Sequence, residues 1–70
     1  MINIKINTDY ITLGSFLKFA GEVSSGSDAK DLILNEKVYV NDEVCVQRGK
    51  KLKNGDKVKI DDKIYMVEKI

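Results

Sequence analysis

The sequence predicts an α+β domain in which two short helices pack on a small sheet. From Ile2 to Asn7 apolar residues alternate with polar ones, which is the period of a strand with one buried face. Between residues 13 and 33 the apolar residues recur every three or four positions, as in amphipathic helices. From Val38 onward the chain returns to short β-branched runs separated by turn residues. Seventy residues suffice for one such domain, and we assign residues 1–70 to it.

The first strand and the first helix follow from these two periods. One face of the strand carries Ile2, Ile4 and Ile6. The apolar stripe of the helix consists of Leu13, Phe16, Leu17 and Ala20. Either Asp9 or Thr12 can cap this helix, because their side-chain oxygens accept hydrogen bonds from its first free N–H groups. Gly21 stands where a left-handed residue would end it.

A second helix is predicted over residues 28–35, with Ser25 or Ser27 as its N-cap. Asp28 and Asp31 in its first turn complement the positive end of the helix dipole. The apolar side of this helix carries Ala29, Leu32 and Ile33. With the short connector between them, the two helices form a helix-turn-helix unit. Neither is long enough to be stable alone, so both must pack on the sheet.

The remainder of the chain is predicted to form four short strands. Residues 38–40 and 43–46 make a hairpin around Asn41-Asp42, because Asn and Asp tolerate the positive φ of a two-residue turn. Cys45, in the second of these strands, is expected to be a buried small hydrophobe rather than a reactive thiol. Residues 56–60 and 64–67 form two further strands, and the first strand of the chain is free to pair with the last.

Positive charge is concentrated in one part of the chain. Residues 1–45 hold four Lys and seven acidic residues, a net charge of −3, whereas residues 46–60 carry six cations and one acid, a net charge of +5. We call residues 48–53 the basic segment; its cations are Arg48, Lys50, Lys51 and Lys53. Such a cluster, held between strands, is a local site for anions, and our hypothesis is that the anion is RNA. The alternative is a loop whose cations only keep it solvated.

The chain lacks the residues that several kinds of catalytic, metal-binding and phosphate-binding site require. Without His, neither a Ser-His-Asp nor a Cys-His arrangement can form, and a single Cys leaves no usual zinc set. The Gly-rich phosphate-binding motifs are absent as well. Asp61-Asp62 is expected to be a solvated turn, because adjacent side chains in a hairpin turn rarely converge on a metal. We therefore expect a non-catalytic protein with no cofactor, no metal and no small-molecule substrate.

The sequence shows no pattern typical of a membrane-spanning or secreted protein. No apolar run approaches the roughly 18 residues of a membrane span, and no basic-then-apolar leader opens the chain. A single Cys45 favours a reducing compartment, since small secreted domains usually carry several cysteines. We expect a soluble, cytoplasmic monomer.

Three stretches of the chain resemble the RNA-binding domain of ribosomal protein S-four: residues 25–33, residues 38–43 and residues 54–58. Residues 11–18 and the run Arg48 to Leu52 are similar to the small stand-alone bacterial members of that family. The resemblance covers nearly all seventy residues. It implies an αL-type fold, with two short helices packed on a small antiparallel sheet of four to five strands, and binding to structured RNA that is often ribosomal.

The chain departs from the family pattern at three places. The family commonly has Arg where this chain has Gly26, Gly where it has Glu36, and Asn-Gly where it has Asn41-Asp42. The first departure affects one RNA contact, and the other two affect local stability.

The resemblance and the charge pattern together define a two-part candidate RNA-binding surface. One part is the start of the second helix, where backbone N–H groups could bind a phosphate: Ser25, Gly26, Ser27 and Lys30. Plain helix capping by the serines is the alternative interpretation of that part. The other part is the basic segment, with Arg48, Lys50, Lys51 and Lys53.

We expect docking on folded RNA by phosphate and shape recognition. Ribosomal RNA and ribosomal particles are the expected partners, and ribosome assembly or quality control the expected setting. The alternative function is a protein-interaction module that docks an acidic partner through the basic segment.

Overall fold

The chain folds in the order β-β-α-α-β-β-β-β-β, and the computed structural model describes residues 1–70. The helices are α1, Leu13–Phe19, and α2, Gly26–Leu34. The strands are β1 (Ile2–Ile6), β2 (Ile11–Thr12), β3 (Val38–Val40), β4 (Glu43–Val44), β5 (Lys51–Leu52), β6 (Lys57–Ile60) and β7 (Lys63–Lys69). The predicted α+β class, with two short helices on a small sheet, is confirmed. Neither helix has the length and apolar composition that would let it cross a membrane.

Five strands form the main sheet, in the order β1-β7-β6-β3-β4. The first strand does pair with the last, and Ile4 stands opposite Val67. This pair is parallel, whereas the resemblance implied an antiparallel sheet; the other three pairs are antiparallel. A parallel pair needs a long crossover connection, and here the whole domain between β1 and β7 supplies it.

The strands β2 and β5 form a second, two-stranded sheet that the sequence did not predict. Ile11 stands opposite Leu52, and Thr12 opposite Lys51. This small sheet attaches the second half of the basic segment to the residues just before α1. The basic segment is therefore held at a fixed position beside the helices.

The β3–β4 hairpin turns at Asn41 and Asp42, with φ values of 51° and 72°. Positive φ at both central residues is the signature of the predicted two-residue turn, so Asn-Asp replaces Asn-Gly here. The side chain of Asn41 also supports the turn from β6, because its Oδ1 accepts the N–H of Lys57 at 3.0 Å. The strand β4 ends at Val44, and Cys45 is half-buried and packs against the core from outside the strand.

The helix caps match the sequence prediction closely. Thr12 caps α1, its Oγ1 accepting the N–H of Ser15 at 3.4 Å, while Gly21 has φ +80° just beyond the helix. Ser25 caps α2, and its Oγ accepts the N–H of Asp28 at 3.2 Å. The helix α2 consequently begins at Gly26, two residues before the predicted start.

The apolar faces of both helices and of the sheet enclose one core of thirteen buried side chains. Phe16 of α1 meets Tyr65 of β7 edge to face, with 5.8 Å between the ring centroids. The Tyr65 hydroxyl donates a hydrogen bond to the carboxylate of Glu22, which also forms a salt bridge to Lys63 at 3.2 Å. The bond from Tyr65 holds the pKa of the Glu22 carboxyl below its ordinary value, and the same bond raises the pKa of Tyr65 to about 12.

Candidate nucleic-acid interface

The basic segment is attached to the start of α1 by backbone hydrogen bonds. The N–H of Leu13 donates to the carbonyl of Lys50 at 2.8 Å, and the N–H of Gly14 donates to the carbonyl of Arg48 at 3.0 Å. The first N–H groups of a helix have no partner within the helix, so these two carbonyls satisfy donors that would otherwise need water. The backbone at residues 48–50 is thereby fixed against α1.

The side chain of Arg48 lies directly over Gly14. A Cβ atom added at Gly14 would come within 2.6 Å of Cγ and 3.3 Å of Cδ of Arg48. Carbon atoms cannot approach that closely, so only glycine leaves room for the arginine stem at this place. The absence of a side chain at Gly14 therefore makes room for the Arg48 stem, a role that the sequence did not predict.

A polar cleft of about 260 Å³ lies beside Arg48, and no hydrophobic residue lines it. The cleft brings Arg48 of the basic segment together with Gly26 at the start of α2, so the two predicted parts of the surface meet here. Lys18 of α1 lines the same cleft and adds a cation that was not predicted as a site residue. Its spacing from Gly14, about one helical turn, is the signal that could have identified it.

Arg48 also lines a second cleft, of about 180 Å³. We call it the apolar cleft, because three of its five lining residues are hydrophobic. The other two lining residues are Lys30 and Arg48. Lys30 therefore also lies near Arg48, as expected for a two-part surface. The hydrophobic lining residues are Ile33, Leu34 and Val46.

The three lysines of the basic segment have different surroundings from Arg48. Lys50 lines a groove beside the β3–β4 hairpin. Lys51 places its Nζ 4.9 Å from the ring centroid of Tyr10, in a cation–π contact. Lys53 is exposed, and its backbone N–H donates to the Asp56 carboxylate at 2.9 Å. The structure thus brings Arg48 together with Gly26 and Lys30, and it does not bring the three lysines to that point.

None of these cations is neutralised by a carboxylate of the protein. The two salt bridges of the molecule join Lys63 to Glu22 and Lys69 to Asp9. The Lys69 ammonium beside Asp9 holds the pKa of that carboxyl below its ordinary value. The positive charge around Arg48 is therefore available to an external anion.

At the start of α2, Ser25 caps the helix and the neighbouring Gly26 borders open space. The Ser25 hydroxyl is engaged as the N-cap, which agrees with the capping interpretation for that residue. Ser27 is exposed, and a Cβ added at Gly26 would meet no atom within 4 Å. The Asp28 carboxylate accepts a hydrogen bond from Ser24 Oγ at 3.0 Å.

The two sides of α2 carry opposite charge. Lys30 lines the apolar cleft with Arg48, whereas Asp28 and Asp31 line a separate cleft together with Glu22, Asp61 and one cation, Lys37. The carboxylates of α2 are thus directed to a different part of the surface from the cations around Arg48. An anion at Arg48 would avoid close contact with them.

A comparison with protein families agrees with this architecture. The model of the S4 domain matches residues 4–68, which is nearly the whole chain. The chain belongs to the S4 domain family, and the resemblance predicted from the sequence is confirmed.

A curated protein of Bacillus subtilis (strain 168) is similar to the chain. It is described as a probable ribosome maturation protein, RlbA, and is 48% identical over 48 residues. The similar region covers 69% of this chain and 68% of that protein.

Proposed function

We propose that the protein is a non-catalytic RNA-binding protein that docks on structured ribosomal RNA through the side of the molecule around Arg48. The observation that carries this proposal is the position of Arg48 between the start of α2 and Lys30, without a carboxylate partner. Membership of the S4 domain family supports RNA as the ligand. The similarity to a probable ribosome maturation protein supports a role in ribosome assembly. The proposal includes a cytoplasmic monomer that binds ribosomal particles.

Docking would depend on phosphate contacts and on the shape of the folded RNA. Folded RNA presents closely spaced phosphates, and binding of cations to them releases counterions. The planar guanidinium of Arg48 suits a bidentate phosphate contact, whereas Lys18 and Lys30 act as mobile point charges beside it. Lys50, Lys51 and Lys53 would extend the positive surface to neighbouring phosphates. Contacts of this kind position the protein on the RNA but do not read its bases.

The test compares two triple variants that remove the same charge. In the first, Lys18, Lys30 and Arg48 are replaced by Ala; in the second, the replaced residues are Lys5, Lys57 and Lys59, which lie exposed on the other face of the sheet. Affinity for purified ribosomal RNA is measured by filter binding. We expect the first variant to bind roughly a hundredfold or more weakly, because three phosphate contacts are lost.

The second variant should lose much less affinity, since it keeps the cations around Arg48. Equal losses in both variants would show that binding depends on net charge alone and would contradict the assigned side. Thermal unfolding of both variants checks that the fold is unchanged, which is expected because all six side chains are exposed.

An acidic protein partner is the competing ligand for the same cations. Sedimentation of the protein with ribosomal particles, before and after nuclease treatment, distinguishes the two. Release by nuclease is the expected result if RNA is the ligand. Retention after complete RNA digestion would instead favour a protein partner.

A further inference from the structure

We propose that the two clefts beside Arg48 together hold one unpaired nucleotide of the RNA, with its phosphate in the polar cleft and its base in the apolar cleft. This inference rests on the proposed RNA-binding function and specifies the ligand further. The preferred RNA would be a duplex that carries an extruded nucleotide, rather than a duplex recognised only by its phosphates and shape.

The two clefts have complementary chemistry and share one lining side chain. Arg48 lines both, so they adjoin. The polar cleft contains two cations and no hydrophobic residue, which suits a phosphate. The apolar cleft has a hydrophobic majority, which suits the face of a base. A nucleotide has the same division between an anionic phosphate and a flat, weakly polar base.

The apolar cleft is the right size for a single group. Its volume of about 180 Å³ is below the roughly 300 Å³ at which drug-sized pockets begin, so it could admit one ring system but not a peptide helix. Two of its aliphatic side chains are largely exposed to solvent: Leu34 is 56% exposed and Val46 is 50% exposed. A base placed there would remove both side chains from water.

Arg48 is the residue that makes a base a better ligand for the apolar cleft than another apolar group. In RNA complexes, unstacked bases commonly stack on aromatic rings or on the plane of an arginine guanidinium. Lys30 at the same cleft would attract the phosphate that follows the base in the chain. The carboxylates of Asp28 and Asp31 line another cleft, so they would not contact the nucleotide directly.

The experiment uses three RNA hairpins that differ at one position. One is fully paired, one carries a single unpaired nucleotide in its stem, and one carries an abasic nucleotide at that place. The full-length protein should bind the hairpin with the unpaired nucleotide roughly fivefold or more tightly than either of the others. Equal affinity for the intact and the abasic bulge would overturn the inference, because the base would then contribute nothing.

A double variant, Leu34→Ser with Val46→Ser, tests the cleft itself. We expect the ratio of affinities between bulged and paired hairpins to fall close to one. The matched control, Ile2→Ser with Ile64→Ser, alters two similarly exposed aliphatic residues that line neither cleft and should keep the preference. A preference that survives in the Leu34 and Val46 variant would overturn the site.

The results also separate this inference from the proposed function. Binding to all three hairpins with equal affinity would reject the nucleotide site and leave RNA binding in place. An absence of binding to every hairpin and to ribosomal RNA would reject both.

Discussion

At Gly26, neither the backbone angle nor a close contact requires a glycine. It is the first residue of α2, its φ is not in the left-handed region, and an added Cβ would meet no atom within 4 Å. The same residue lines the polar cleft with Lys18 and Arg48. A side chain at this position would therefore begin in open space beside the cleft.

Replacement Gly26→Arg, which introduces the residue common in the family, should strengthen RNA binding. One additional phosphate contact would make the slope of log affinity against log salt steeper by roughly 0.9. The measurement is a salt titration of binding to ribosomal RNA. Asn3→Arg adds the same charge on an exposed strand residue of β1 and serves as control. An equal gain from both substitutions would contradict a specific contact at the start of α2.

Gly14→Ala should weaken RNA binding through Arg48. The new methyl group would lie 2.6 Å from Arg48 Cγ, so the arginine stem must move away from α1. The expected loss approaches that of Arg48→Ala, roughly tenfold for a charge-assisted contact to phosphate. In an Arg48→Ala background, Gly14→Ala should have almost no further effect. An additive loss in this double-mutant cycle would show that Gly14 acts by another route.

The link from Tyr65 to Glu22 connects two elements that are distant in sequence. It attaches the connector between α1 and α2 to β7, 43 residues later in the chain. The tyrosine ring is 4% exposed, and Lys63 provides the second contact of the Glu22 carboxylate. The link therefore holds the helix pair on the sheet.

Tyr65→Phe should destabilise the fold by about 2 kcal/mol, because a hydrogen bond to a charged group is lost. For a domain of this size that corresponds to a fall in Tm of roughly 10 °C. Thermal unfolding followed by circular dichroism gives the measurement. Tyr39→Phe removes a hydroxyl from an exposed ring and should leave Tm nearly unchanged. Equal Tm values for wild type and Tyr65→Phe would contradict a stabilising link.

The same link predicts how stability depends on pH. The pKa of Glu22 is lowered in the folded protein, so its contribution is present above the ordinary value of 4.5 and is lost as the pH falls below it. The pKa of Tyr65 is raised from 10.0 to about 12, so its contribution is present below pH 10.0 and is lost as the pH rises toward 12. Urea unfolding should therefore show the largest difference between wild type and Tyr65→Phe near neutral pH. A difference that does not change with pH would contradict the assignment.

Local signals were enough to predict most elements of the fold. The alternation at β1, the caps Thr12 and Ser25 and the turn at Asn41 each depend on residues close together in the chain. The strands β2 and β5 escaped prediction because two residues are too few to show a period. The link between Tyr65 and Glu22 also escaped, since no local pattern records a contact across 43 positions.

Part of the candidate site could also be predicted from the sequence. Arg48, Lys30 and Gly26 were identified from charge and family resemblance, and the structure brings them together. Lys18 was overlooked because it is a single cation on a helix outside the basic segment. Lys57 and Lys59 belong to the positive stretch of the sequence, yet the alternation of β6 places them on the other face of the sheet.

At the scale of the whole molecule, the distribution of charge matters more than its sum. The net charge is only +1, but the cations around Arg48 and the carboxylates around Asp31 line separate clefts on either side of α2. An approaching polyanion is attracted to one side and repelled from the other. This arrangement favours a single orientation on RNA.

Salt should weaken RNA binding in proportion to the phosphates that the protein contacts. With about four phosphates neutralised, log affinity should fall against log salt with a slope of roughly −3. The variant that lacks Lys18, Lys30 and Arg48 should give a clearly shallower slope, because it keeps only the phosphate contacts of the remaining cations. A slope that is the same in wild type and variant would show that these residues do not contact phosphate.

The parallel pairing of β1 with β7 has a consequence for biosynthesis. During translation β1 emerges first, and its hydrogen-bonding partner emerges last. The nascent polypeptide therefore cannot complete its sheet by stepwise addition, because β7 must insert between β1 and β6. Contacts so far apart in sequence slow folding. The sheet that carries the proposed RNA-binding side would thus be completed only after β7 has been synthesised.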